Sequence, residues 1–437
     1  MNLLIVTPFY KQDRTIGSVR WTKLTERLAR NHHVIVVTQP VNDMDEAITI
    51  TEEDGITVVR ANQKTWYEKI AVKYFSGKTG DDWQTKASVS PKTTEVPYPK
   101  RLFRYLKNRL CYYAMQTKAV SYANWICKHA IPKGMKIDVV INSACPFIEM
   151  LFGYQLKKKL KCKWICDFRD LPFLKDVTDD THIARRIMAQ KMALADKITV
   201  VTRGSAEIFR DFFPDYAERL EVVTNGFSET DRREHSTIDD DKLHIVYTGS
   251  FASSYNRIIN SLFSAIHLLK TDFPDLPFVL DCAGGNQKTI INCAGEHGMK
   301  SIVKDHGFLP REEAMQLQNS ADILLLLSGN SIALPAKMFE YMLCEKPILC
   351  FLYGTNSKGE ATEVIREIKL GLAVEEADGE QVVKEVADYL KMQLERKRSG
   401  MPLLFNPVTE KVQRYNHDTI AEQIEGILKD ITSMTKG

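Results

Sequence analysis

Residues 222–251, VVTNGFSETDRREHSTIDDDKLHIVYTGSF, decide how this chain folds, because a pattern that runs up to them stops and then starts again. Upstream, apolar runs of strand length recur at Leu3–Thr7, Val34–Thr38, Ile56–Arg60, Val139–Asn142, Trp164–Phe168, Ile198–Thr202 and Val222–Asn225. Continuous rather than alternating apolar runs belong to strands covered on both faces, and helical patterns between them make the sheet parallel and doubly wound. The polar run Ser228–Lys242 interrupts this, and strands resume at Ile245–Thr248, Phe278–Ala283, Ile302–Phe308, Ile323–Leu327, Ile348–Leu352 and Leu372–Val374. The expected class is therefore α/β, with two facing Rossmann-like domains and a central cleft. The expected boundaries are a first domain at 1–228, a linker at 229–242 and a second domain at 243–406. Helices over 407–437 follow, and packing back on the first domain is one of their two open arrangements. The segment from about 64 to 99 mixes Gly, Ser, Thr and Lys without periodicity and reads as an insertion or mobile loop.

At 437 residues, with 44% apolar and 26% charged residues, the chain suits a globular protein of two or more domains. Nine cysteines, among them Cys145, Cys166, Cys282 and Cys350 in apolar runs, show no metal-type or redox spacing and read as buried free thiols. MNLLIVTPFY lacks a basic leader and a cleavage site and reads as a first strand. No segment reaches the roughly 18 apolar residues needed to span a bilayer. A cytoplasmic location is expected. The net charge of +3 excludes little, but its distribution is uneven. Residues 100–136 contain Lys100, Arg101, Arg104, Lys107, Arg109, Lys118, Lys128, Lys133 and Lys136 among Phe103, Tyr105, Tyr112, Tyr113 and Trp125, with no acidic residue. Such a stretch is either an anionic-membrane contact or a solvated helix face. With the first, the protein is peripheral at the inner face of the cell membrane. No nucleic-acid motif accompanies the charge, and nucleic acid is not an expected partner.

The stretch 333–350, ALPAKMFEYMLCEKPILC, carries the clearest chemistry. Pro335 suits a helix start, which leaves the amides of Ala336 and Lys337 as outward donors that attract anions. Lys337 adds a full charge, and Glu340, one turn on, could accept hydrogen bonds from a pair of sugar hydroxyls. Lys and Glu at this spacing also form plain surface ion pairs. Against that stands the apolar character of Met338, Phe339, Tyr341, Met342 and Leu343, which marks a buried helix. Each half also opens with a glycine loop after its first strand. Gly17 and Ser18 precede a helix expected over Arg20–Arg30, and Gly249 with Ser250 follows Ile245–Thr248. In ICDFRDLP, Arg169 stands between Asp167 and Asp170, either as a structural ion cluster or with Asp170 or Arg169 reaching a reacting centre or acceptor. Backbone near Phe308 and Leu309 could read a nucleotide base, with a core role for both side chains as the alternative.

TPFY…GSVR, CPF…GYQLKKK…WICDFRDLP, ADKITVVT, VVTNGF, IVYTGS, HGFLPREEAMQLQNSADILLLL and LPAKMFEYMLCEKPIL resemble, in order, the signature blocks of retaining glycosyltransferases of family 4. The resemblance runs from Met1 to about Val374 and implies the GT-B fold. It further implies a nucleotide-diphosphate sugar held chiefly by the second domain, an acceptor held by the first, no metal or other cofactor, and retention of anomeric configuration. By position it implies that Glu340 holds the donor's ribose hydroxyls and that Lys337 serves the diphosphate. Gly17 and Gly249 match glycines that approach the donor phosphates, and Ser18, Ser250, Phe308, Leu309, Leu334, Pro335 and Ala336 complete the expected donor site. Asp170, Arg169 and Lys337 are the expected catalytic groups. Where many members carry a glutamate eight residues before Glu340, this chain has Ile332. Arg169 stands where a histidine is common, and only Arg257 follows the second domain's first strand where an Arg and Lys pair is common. These departures resemble a branch that builds surface polysaccharides and lipid-linked sugars. The expected activity is transfer to a glycan or lipid-linked acceptor; a catalytically silent binding partner and a sugar-nucleotide epimerase are the alternatives.

Overall fold

The structure, a computed structural model, describes residues 1–11, 16–40, 48–61, 98–144, 147–171, 181–234, 236–251, 255–329, 332, 334–353, 359–375 and 379–433. The expected insertion at 64–99 lies outside these apart from its last two residues, as do Cys145 and the side chains of 98–112 within the basic stretch. The chain divides into two compact units.

The first unit comprises Met1–Val201, Ser205–Val223 and Ala421–Gly437. Its strands are β1 (Asn2–Val6), β2 (His33–Thr38), β3 (Thr49–Glu53), β4 (Ile56–Arg60), β5 (Val139–Ser143), β6 (Lys163–Phe168), β7 (Lys197–Val200) and β8 (Leu220–Val222). The helices are α1 (Ile16–Leu28), α2 (Tyr98–His129), α3 (Phe147–Leu160), α4 (Thr181–Met192) and α5 (Arg203–Phe212). The sheet order is β3-β4-β2-β1-β5-β6-β7-β8 among the described residues. Every neighbouring pair is parallel except β3 with β4. The exception is a hairpin: Glu53 pairs with Ile56, and Asp54 and Gly55 both take positive φ, 55° and 76°. Both signs are those of a two-residue turn of the primed type, for which Asp-Gly is a preferred sequence. The polar strand TITEE was not among the expected strands because it is exposed along most of its length. Chain order reverses between β1 and β5, which places the ligand-binding position of such a sheet at their carboxyl ends.

One buried cluster ties α1 to this sheet. Asp167, 1% exposed at the end of β6, accepts from Arg20 Nη2 at 3.1 Å, Trp21 Nε1 at 3.1 Å and Thr199 Oγ1 at 2.7 Å. Three donors satisfy the carboxylate, so Asp167 is structural, and only the Arg169–Asp170 part of that run remains open to other uses. Removing one side of a buried pair leaves the other charge uncompensated. Asp167→Ala should therefore destabilise the first unit by about 3–5 kcal/mol, read from its urea transition; a loss under about 1 kcal/mol would show that the cluster behaves as a surface pair.

The second unit comprises Thr202–Gly204 and Thr224–Ile420. Its strands β9 (Leu243–Thr248), β10 (Phe278–Ala283), β11 (Val303–Asp305), β12 (Ile323–Ser328), β13 (Ile348–Leu352) and β14 (Gly371–Glu375) form an all-parallel sheet ordered β11-β10-β9-β12-β13-β14. Its helices are α6 (Asn256–Leu268), α7 (Lys288–Glu296), α8 (Arg311–Asn319), α9 (Ala336–Cys344), α10 (Glu360–Ile368), α11 (Glu380–Arg398) and α12 (Thr409–Gln413). The last helix, α13 (His417–Ser433), belongs to this unit up to Ile420 and to the first unit from Ala421. The switch point here falls between β9 and β12. The segment expected as a linker, 229–242, counts with this unit. Arg232 bonds Glu229 at 2.8 Å and Glu345 at 2.7 Å, and Arg233 bonds Glu312 at 2.8 Å. Phe227 exchanges backbone bonds with Tyr415 and His417, and Gly226 is required there because a Cβ would strike the Tyr415 carbonyl. No described helix is long and apolar enough to cross a membrane.

Candidate functional site

At the carboxyl edge of the second sheet, the loops after β9, β10 and β11 are tied by backbone hydrogen bonds, and the first two lie close enough to exclude a side chain at Gly284. Gly249 follows β9 with φ of 143°, and its N–H donates to the Ala283 carbonyl at 2.6 Å. Gly284 follows β10 with φ of 131°, its N–H donates to Gly307, and a Cβ on it would strike the Gly249 carbonyl. Gln287 Nε2 donates to that same carbonyl at 2.8 Å. Only glycine takes these angles without strain.

Opposite this stack α9 begins. Pro335 caps it with φ −57° and ψ 134°, and the Met338 N–H returns to the Pro335 carbonyl at 2.9 Å. The N–H groups of Ala336 and Lys337 find no acceptor among the described residues. Leu334, Met338, Phe339, Tyr341, Met342 and Leu343 are buried, so α9 is fixed by its apolar face.

Lys337 Nζ sits where a side chain on Gly249 would stand, 5.2 Å from the Tyr247 ring centroid. It makes no hydrogen bond or ion pair with any described residue. Burial pushes its pKa below the usual lysine range, and Glu340 opposes that shift. The Lys337–Glu340 ion pair that the spacing permits does not form. Instead Glu340, its side chain 22% exposed, is held by Gln318 Nε2 at 3.5 Å and Arg311 Nη2 at 3.7 Å. Gln318 also donates to Thr248 Oγ1 at 2.9 Å, and Tyr341 Oη donates to the Leu325 carbonyl at 3.2 Å. An ammonium on an aromatic face, beside two amides, none with an acceptor among the described residues, is an arrangement that attracts anions.

The other expected residues fall as follows. Ser250 is exposed, with its Oγ 3.0 Å from where a Cβ on Gly285 would lie. Phe308 is 88% exposed, which removes the core alternative for it, and Leu309 is half-buried. Gly17 and Ser18 are not in a loop: they lie inside the first turn of α1, which starts four residues before the expected Arg20. Ser18 is buried. Arg169 is half-buried and Asp170 exposed just after β6, in the first unit, whereas Lys337 belongs to the second. Ile332 packs with its Cβ 2.9 Å from where a Cβ on Gly204 would stand, and its carbonyl accepts from Thr202 Oγ1 at 2.7 Å. Ala333 lies outside the described residues. Sequence reasoning missed Tyr247, Gln287 and Gln318; Tyr247, two residues before Gly249, had a signal in its position. Among the described residues no group of three or more His, Cys, Asp or Glu is placed to hold a metal ion.

Two outcomes follow from the Lys337–Gly249 contact. Gly249→Ala should displace the ammonium and weaken anion binding at least about tenfold, the effect of roughly 1.4 kcal/mol, as measured by titration with inorganic pyrophosphate. Between the lowered pKa of Lys337 and the ordinary lysine value, the unfolded chain binds the proton and the folded chain does not. Stability of the unliganded protein should thus rise with pH across that window while pyrophosphate affinity falls. Lys337→Met should abolish both trends; a variant that keeps them would assign them to another group.

Residues 228–401 match the family model for glycosyl transferases group 1. A comparison with the curated proteins found no match. Among solved structures, sucrose-phosphate synthase from Thermosynechococcus elongatus aligns over 100% of both chains with a TM-score of 0.63 at 13% identity. A structure from E. coli, trehalose-6-phosphate bound with UDP-2-fluoro glucose, aligns over 99% of both chains with a TM-score of 0.66 at 10% identity. A glycosyltransferase from Rickettsia africae aligns over 100% of this chain and 99% of its own, with a TM-score of 0.56 at 12% identity. At such identities these structures show the fold alone, which is that of two Rossmann-like domains of the GT-B kind; the group 1 match over 228–401 is what indicates a glycosyltransferase.

Proposed function

We propose that this chain is a metal-independent, retaining glycosyltransferase of family 4 that moves a sugar from a nucleotide-diphosphate sugar to a lipid-linked or polysaccharide acceptor in cell-surface glycan synthesis. The observation that carries the reading is the half-buried Lys337 ammonium, which stands beside the amides of Ala336 and Lys337 and, like them, has no acceptor among the described residues. As a glycosidic bond to a diphosphate breaks, negative charge gathers on the leaving oxygens. A fixed ammonium and fixed amides aimed there stabilise that charge without reorganising, which is the work a divalent cation does in other transferases. Glu340, held from behind by Gln318 and Arg311, keeps its second function of accepting from the ribose hydroxyls. Gly249 lets backbone and phosphate approach. The donor-side roles of Ser250, Phe308, Leu309, Leu334 and Pro335, and the roles of Gly17, Ser18, Arg169 and Asp170 in the first unit, belong to the same proposal.

The acceptor class is supported by α2. It is rich in lysine and arginine, has no acidic residue, and leaves Tyr113 73% exposed and Val120 39% exposed. A basic helix with an exposed aromatic side chain suits an anionic membrane, which supports a location at the inner face of the cell membrane. A silent binding partner is the second reading, favoured by Ile332: it puts a branched apolar group where the family commonly has a second carboxylate.

Thermal stabilisation by UDP, GDP, ADP and CMP, with and without Mg²⁺, tests the proposal, with UDP first because one structural neighbour binds a UDP sugar. A nucleotide at about 100 times its dissociation constant adds roughly 2.7 kcal/mol to stability. One diphosphate should do so without metal, Lys337→Ala should lose the shift, and Glu340→Ala should cost about 1.5–3 kcal/mol of the binding. Product NMR should show the donor's anomeric configuration retained. Stabilisation that requires Mg²⁺, or that survives Lys337→Ala, would sink the assignment. Turnover with any donor would dismiss the silent partner.

A further inference from the structure

The first unit contains a buried acid that none of these roles uses, with one carboxyl oxygen unpartnered among the described residues. Glu149 lies in the first turn of α3, directly after β5. It is 2% exposed, and its Oε2 has no hydrogen-bond partner among the described residues. Its backbone is anchored: Asn142 Nδ2 donates to the Glu149 carbonyl at 2.8 Å, and Trp164 Nε1 donates to Asn142 Oδ1 at 2.5 Å. Gly153, one turn further along α3, makes room for this pair, since a Cβ there would strike both side chains. The backbone that carries the carboxyl is thus held in a fixed place, while its Oε2 is left without a partner among the described residues. Its neighbours Met150, Leu151 and Phe152 are fully buried apolar residues, and the Tyr122 ring of α2 lies 4.6 Å from that of Phe152.

Such a group weakens the folded state. A buried acid without a partner loses its water and gains nothing in return, so an apolar side chain of similar volume would pack there more favourably. Asp167, one strand away on β6, shows the contrast, since three donors surround it. The location adds a second argument. β5 borders β1 where the chain order of the first sheet reverses, and α3 begins at the carboxyl end of β5. Ligands of open α/β sheets bind outside the strand ends at that reversal.

The chemistry of the group narrows the ligand. Burial pushes the Glu149 carboxyl up to about 8, with Lys118 of α2, the one charged group acting on it among the described residues, pulling the other way. At neutral pH it is therefore mainly the neutral acid, which both donates and accepts a hydrogen bond. A phosphate would want a cation there, and an amine would want a carboxylate. An alcohol needs one donor and one acceptor.

We infer that Glu149 is a binding residue for a hydroxyl group of the sugar acceptor at the carboxyl edge of the first unit. This rests on the transferase reading, which makes the ligand of this unit an acceptor, but its test is separate. The full-length wild type, Glu149→Gln and Glu149→Leu are compared by thermal unfolding alone, with UDP, GDP or ADP, and with a panel of methyl and octyl hexopyranosides. An amide keeps a donor and an acceptor; leucine keeps neither.

The expected result has three parts. Glu149→Leu melts above the wild type when unliganded, as removal of an unsatisfied acid requires. At least one hexoside stabilises the wild type, with affinity within about threefold in Glu149→Gln and at least tenfold weaker in Glu149→Leu. All three proteins keep the same nucleotide shift. A lower melting temperature for Glu149→Leu, a hexoside response equal in all three proteins, or no hexoside response in the wild type overturns the inference. A Glu149-dependent hexoside shift in a protein that binds no nucleotide would instead uphold the sugar site and overturn the donor reading.

Discussion

The position of one ammonium group constrains the candidate site of the second unit. Lys337 Nζ fills the volume that a side chain at 249 would need, so residue 249 must be glycine. The Gly249 carbonyl in turn fills the place of a side chain at 284, which makes that residue glycine as well. Two backbone angles that disfavour other residues are thus set by packing that starts from a single lysine. The same contact explains why the charge is kept apart from Glu340. Gln318 and Arg311 hold the carboxylate on one side of α9, while the ammonium lies against the Tyr247 ring, so opposite charges one turn apart stay unpaired. An ion pair would have stabilised the empty protein slightly and left less for a ligand.

Buried acids in the molecule divide by whether their oxygens are satisfied. Asp167 takes three donors, and Asp281 takes His244 Nδ1 at 3.1 Å and His306 Nε2 at 2.8 Å. Both are explained by the strands and helices they join. Glu149 is not, although Asn142 could have been arranged to bond its carboxyl rather than its carbonyl. Because a half-satisfied network costs more than an apolar core, such an acid is better understood through something outside the folded chain than through its packing.

Where burial on both faces dictated the strand, the sequence was sufficient. The limits of β10 and β13 coincide with Phe278–Ala283 and Ile348–Leu352 because Pro277 and Pro347 stop the run in front of each. Where the strand was polar it was not: β3 lies at the sheet edge and is held by the hairpin, and its one local signal was the Asp54–Gly55 pair. The seventh expected strand, Val222–Asn225, ends at Val222, since Phe227 bonds the segment before α13 and draws the chain out of the sheet. That partner is almost 190 residues away and has no trace in local periodicity. Gly17 was misplaced for a related reason, since glycine near a strand end suggests a loop, yet a helix tolerates it at the modest cost of about 1 kcal/mol.

The candidate donor site was legible to the depth of one helix. Pro335, Lys337 and Glu340 sit close together in sequence, and their spacing alone puts a helix start, a cation and a carboxylate on one face. What keeps the cation from the carboxylate comes from β9 and α8, and only the fold brings Tyr247 and Gln318 there. The difference matters for the chemistry. Lys337 paired with Glu340 would be a surface contact of a few tenths of a kcal/mol, whereas Lys337 desolvated on Tyr247 is an unmet demand for an anion. The residue types are the same in both cases, and the separation supplied by the surrounding elements is what makes them a candidate site.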